Sequence, residues 1–178
     1  ANTGPATEYK VTMTKVELCE DGSSPAHCIN PITISPNTSS KAVDIASVSA
    51  GAAAGSYGNI ALANIDTKYT YMQITMDRKF QITGTAGSCA TKAGETGSKT
   101  ADAKGQSGGT AGSSTLYVPD GTGTFGSHIY GSVDSLGASV SANGTIGNND
   151  EYFQYRQQLA STFTMVPGNI PSVTVAFG

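Results

Sequence analysis

Glu8-Tyr-Lys-Val-Thr-Met-Thr-Lys-Val-Glu-Leu18 alternates apolar and polar residues, and its reading decides the fold. Successive side chains of an extended chain point to opposite faces, so Tyr9, Val11 and Met13 share one side of a strand. The pattern then slips, and Val16 and Leu18 fall on what had been the polar side. A slip of one residue marks either a β-bulge or a strand that crosses between two sheets. The stretch therefore reads as a first strand, and its first half, residues 1–13, as a candidate for pairing with a neighbouring molecule.

The longest pattern of the same kind runs from Tyr69 to Thr83. Met72, Ile74, Met76, Phe80 and Ile82 share one parity and Gln73, Thr75, Asp77, Lys79 and Gln81 the other. This predicts a central strand or a pair of strands. Arg78 interrupts the apolar face, which implies a bend, an ion pair, or a guanidinium reaching past the sheet end.

Shorter alternating runs occur at Pro31–Ser35, Ala42–Ala46, Leu116–Val118, Thr124–Tyr130 and Thr162–Val166, and the chain closes on Ser172–Phe177. In that last run Val173, Val175 and Phe177 form one apolar face. Glu151–Ala160 is where a short helix competes with a strand, and Ala52–Ala54 supports at most one helical turn. Seven to ten short strands separated by Gly and Pro turns predict an all-β chain, an antiparallel β-sandwich of Ig-like or prealbumin-like type with short terminal strands.

The composition agrees. The chain has 178 residues, of which 22 are glycine and 13% are charged, with a net charge of −3. That length reads as a single domain, 1–178, able to bury a core. With Arg78 and Arg156 as the only arginines there is no basic stripe for nucleic acid. No apolar run is long enough to span a bilayer. The sequence opens at Ala1 rather than at an initiator Met, as signal-peptidase cleavage leaves it, so the chain reads as secreted, at the cell surface or in an extracellular filament.

Residues 83–115 contain no Val, Ile, Leu, Met, Phe or Tyr. Such a stretch has no large apolar side chain to bury and predicts a low-complexity loop excursion, ordered by lying against a partner.

Cys19, Cys28 and Cys89 allow three single-disulfide pairings in an oxidising compartment. Cys19 with Cys28, closing the turn-like Glu20–His27, is the first choice, which leaves Cys89 as the odd and inert thiol. His27 and His128 lie far apart in sequence, and the cysteine spacing does not suit zinc.

Catalytic motifs are missing: there is no Gly-x-Ser-x-Gly, His-Glu-x-x-His or Walker loop. Asp120-Gly-Thr-Gly-Thr124 and the oxygen-rich Asn148–Glu151 read as turns rather than calcium loops. Convergence of Asp120, Asp150 and Glu151 on His128 in a cleft would be needed for hydrolytic chemistry. Asn37-Thr-Ser39 and Asn143-Gly-Thr145 fit the short N-glycosylation pattern. The reading is of a chain that is not an enzyme and needs no cofactor or metal.

On Val11–Leu18, Val43–Ala46 and Ala54–Tyr57 leading into Ile60, the first half resembles the prealbumin-like or carboxypeptidase-regulatory-like β-sandwich modules of exported bacterial surface proteins. That resemblance implies surface display or ligand binding without catalysis. In layout the chain resembles subunits of bacterial pili and other extracellular filaments: an alternating N-terminal extension, an early cysteine and a last strand with penultimate Phe177. This second resemblance implies that Tyr9, Val11 and Met13 insert into a neighbour's groove lined by Val173, Val175 and Phe177.

The expectation is thus a structural subunit of an extracellular filament or pilus. It polymerises with identical subunits by donating its N-terminal strand, and it acts in adhesion, with a surface glycan or protein as receptor. The rival is a monomeric β-sandwich module that binds glycan or protein. A glycan-active hydrolase comes third.

Overall fold

The structure, a computed structural model, describes residues 3–35, 40–47, 58–101, 103–123 and 125–173. Eleven strands lie among these residues. The first three are β1 (Ala6–Glu20), β2 (Ile32–Thr33) and β3 (Lys41–Asp44), and single 3₁₀ turns follow at Ile45–Ser47 and Ile60–Leu62. Next come β4 (Lys68–Ala86), β5 (Cys89–Thr91), β6 (Gly105–Ser107), β7 (Ser114–Tyr117) and β8 (Gly121–Thr122). The chain ends in β9 (Ile129–Ser132), β10 (Thr145–Ile146) and β11 (Tyr152–Thr164). Every ladder between these strands is antiparallel, and the sheet curls into a half-barrel beside a small β8–β10 ribbon. All-β architecture is therefore established.

The spine is the β1–β4 pair, and it changes partners midway. Lys10–Met13 pair with β3, whereas Glu17 and Leu18 pair with β2. Across the spine, β4 pairs with β11 up to Asp77 and with β7 from Lys79 onward. The switch coincides with a break in register. Val11 faces Phe80 and Met13 faces Met76, so Asp77, Arg78 and Lys79 bulge out of β4; Met13 facing Met76 and Lys15 facing Thr75 then place a compensating bulge at Thr14. Paired bulges of this kind let two strands serve two half-sheets.

The bulge explains the slipped parity of β1. The extra residue at Thr14 brings Val16 and Leu18 back to the face of Met13, and all three lie in the core with Met72, Ile74 and Met76. Ile34, Val43, Ala63, Tyr69 and Met165 complete the cluster, with Phe153, Phe163 and Val173 among the side chains against it. The region where helix and strand competed is one strand, β11, because it is held between β4 and β9.

Residues 83–115 differ from the expected loop. They extend β4 to Ala86 and build β5 and β6, and they lie against their own chain. Ser113 Oγ donates to Glu8, Gly97 N to the Thr115 carbonyl, and Lys99 pairs with Glu151. Backbone ladders that need no side-chain signal replace apolar burial here. The predicted helical turn at Ala52–Ala54 and the Asn37 sequon lie outside the described residues.

Candidate interaction surface

Two regions of the half-sheets bear on function: the first half of β1 and the polar face of its second half. Tyr9 faces Ile82 and meets Phe80 edge-on at 5.1 Å between ring centroids. Val11 sits between Val43 and Phe80, and Met13 reaches the core. In this single chain, Tyr9, Val11 and Met13 thus occupy the chain's own sheet. Val173 packs on the cluster that contains Met13, while Val175 and Phe177 lie outside the described residues.

The start of β1 is held by polar ties. Glu8 takes Lys10 Nζ at 2.6 Å, Ser113 Oγ at 2.6 Å and Thr83 Oγ1 at 3.2 Å. The Lys10 hydrogen bond, aided by Ser113, holds the Glu8 carboxyl below its ordinary range, and Glu8 in turn raises Lys10. Burial pushes the Tyr9 phenol up. The Tyr9 amide donates to Asp44 at 2.9 Å. Upstream, Gly4 lies so close to β4 that a Cβ there would collide with the Thr85 carbonyl. Only glycine permits that approach.

At the bulge, Arg78 is completely buried. Its guanidinium donates to the carbonyls of Val118 at 2.6 Å, Gly147 at 2.7 Å and Asp150 at 2.9 Å, and it pairs with the Asp120 carboxylate. The bend and the ion pair expected at this residue occur together. Asp120 thereby serves as a structural anchor. The Asp150 carboxylate accepts from Ser141 Oγ at 2.8 Å and from the Gly147 amide at 2.7 Å, which closes the Asn148–Glu151 turn. His128 lies apart from this group, its ring nitrogen against the Arg156 carbonyl at 2.8 Å. Among the described residues no cluster of His, Cys, Asp and Glu is arranged to hold a metal.

Cys19 and Cys28 form a disulfide, with Cα atoms 5.2 Å apart, and Cys89 is an exposed free thiol. The loop closed by this disulfide covers a layer that sequence reading missed. Lys15 pairs with Glu17 at 2.6 Å, Gln73 Nε2 donates to Glu17 at 2.6 Å, and Arg156 Nε donates to Gln73 at 2.5 Å. Arg156 also reaches the Ala26 carbonyl at 3.1 Å and lies 4.1 Å over the Tyr130 ring. Burial draws the Arg156 guanidinium below its ordinary value. The alternation Gln73, Thr75 marked only a second face; that loops far away in sequence cover it has no local signal.

At the end of the sheet where β4 begins, Ile65, Val166 and Ile170 are exposed, and the Asp66 amide, donating to the Met165 carbonyl at 2.8 Å, ties the segments of Ile65 and Val166 together. Every described Tyr and Phe is buried or half-buried, so the described surface offers no flat aromatic platform. No helix among the described residues is long and apolar enough to cross a membrane. No protein family, curated protein or solved structure matches the chain.

Proposed function

We propose that the chain is a structural subunit of an extracellular filament or pilus-type surface structure, joined to its neighbours by exchange of the first half of β1, with an adhesive or architectural role. The observation that carries this reading is the pair of adjacent register breaks, Asp77–Lys79 across from Thr12 and then Thr14, around which both spine strands change partners. Residues 6–11 pair with β4 beyond the Asp77–Lys79 bulge, and residues 13–20 pair with it before the bulge. A separable ladder is the piece that identical chains can trade at low net cost, since the hydrogen bonds broken within one chain re-form with its neighbour. Exchange in one direction does not close on itself and yields a filament. In this reading the two half-sheets serve as the layers of a prealbumin-like β-sandwich, and the Cys19–Cys28 bridge suits an exported location.

The monomeric binding module is the second reading, favoured by the pairing of Ala6–Met13 with β4 of the same chain. A cross-strand cysteine pair separates the two. In a Cys89→Ser background, Val11→Cys with Phe80→Cys joins directly opposed positions on oxidation. Non-reducing gels of native assemblies should show a ladder of covalent oligomers. Exclusively intramolecular bridges in a monodisperse monomer would overturn strand exchange and leave the monomeric module.

A further inference from the structure

We infer that a cavity at the β5–β6 end of the sheet binds a single-chain amphiphile with a carboxylate head, of the medium-chain fatty-acid class. The cavity has a volume of about 310 Å³ and is walled by Pro5, Ala6, Ile82, Ala90 and Leu116. Its origin lies in the composition of residues 83–115, which carry no large apolar side chain. Ile82 and Leu116 thus face alanines and glycines from β5, β6 and the segment before β6, and the space between stays unfilled. A volume of this size is at the lower end of small-molecule sites.

The two exposed side chains that matter at the cavity are Cys89 and Lys104. Lys104 forms no close ion pair among the described residues and interacts only at longer range with Glu95, whereas most other lysines of the chain are closely paired. Apolar walls with one cation at the edge that has no close ion pair fit an alkyl chain that ends in an anion, and disfavour the same chain ending in a cation. Gly4, Pro5 and Ala6 form part of the wall, so the cavity is complete only while the start of β1 is docked, whichever copy supplies it. The inference therefore stands independently of strand exchange.

Cys89 supplies the readout, because a ligand in the cavity shields the thiol from iodoacetamide. With the full-length oxidised chain, alkylation is followed by mass spectrometry against hexanoate, octanoate and decanoate below their micellar concentrations. Protection should strengthen by up to about fourfold in affinity per added methylene until the cavity is full. Lys104→Glu should weaken decanoate by about three- to tenfold, with the difference shrinking in high salt. Ala90→Leu, which fills the space, should abolish protection, and the chain-length series on the unaltered protein decides the matter if that variant fails to fold. Equal protection by decylamine, or none by decanoate, overturns the inference. Protection that rises with protein concentration alone assigns the cavity to a second copy and overturns it as well.

Discussion

Replacing Arg78 by Met tests whether the bulge is a built joint. The substitution keeps an apolar stem of similar reach but removes every hydrogen bond of a completely buried guanidinium. Three carbonyls, those of Val118, Gly147 and Asp150, and the Asp120 carboxylate lose their donor. Summed singly at about 1–3 kcal/mol each, these losses would overcount, because the groups relax together. Removing one partner of a buried pair costs about 3–5 kcal/mol. The Asp120 side chain is 28% exposed and rehydrates, which places the expectation near the lower end, about 3–4 kcal/mol. For a chain of this length that lowers Tm by about 10 °C. Urea titration followed by far-UV circular dichroism and tyrosine fluorescence, the chain having no Trp, should show a lower midpoint with unchanged slope. Hydrogen exchange should accelerate first at the Val118 and Arg78 amides, which bond to the Arg78 and Glu151 carbonyls across the bulge. A loss under about 1 kcal/mol, or uniform acceleration across the sheet, would refute the assignment of Arg78 as the clamp between half-sheets.

Two further outcomes follow from the ties on β1. Cys19→Ser with Cys28→Ser opens a loop of sequence separation 9 and should cost about 2.5 kcal/mol on the chain-entropy account, read as a lower urea midpoint. The Glu8–Lys10 pair gives the start of β1 a pH dependence of defined sign. Lowered Glu8 stabilises fully above the unfolded carboxylate value of about 4.3 and loses this as pH falls through its lower folded value, whereas raised Lys10 stabilises fully below about 10.4 and loses this as pH climbs through its higher one. Nuclear magnetic resonance signals of Thr7–Val11 should broaden below about pH 4 in the native chain and change less in Glu8→Gln; identical profiles would refute the role of the pair.

The sequence marked the positions where a pattern broke, leaving a short set of explanations for each. The slipped parity at Met13–Val16 is the bulge at Thr14, and the arginine inside an apolar run sits in the adjacent bulge of β4. The turn between Cys19 and Cys28 carries the disulfide. Two features were illegible for physical reasons. Gly, Ser and Thr in residues 83–115 pair through backbone groups, which leave no trace in hydrophobic periodicity. The layer of Glu17, Gln73 and Arg156 looks like an ordinary solvent face from its own strands, and remote segments at Pro25–Ala26, Tyr130 and Leu136 cover it.

The two halves of β1 are held by different forces, and this difference ranks them for exchange. Lys15–Glu20 share a dense apolar core on one face and a buried charge network on the other, so displacing them would expose both. Ala6–Val11 rely on backbone pairing, one aromatic pair and hydrogen bonds in which Asp44 accepts from the Tyr9 amide and Glu8 from Thr83 Oγ1, with Tyr9 and Val11 half-buried. Segments that bury little apolar surface open at lower free energy than the core they adjoin. Opening therefore runs from the terminus toward Thr14 and stops where Met13 enters the core and Arg78 pins the opposite strand. On the strand-exchange proposal, that stop would set both the length of strand a neighbour could take and the point from which each chain would keep its own fold.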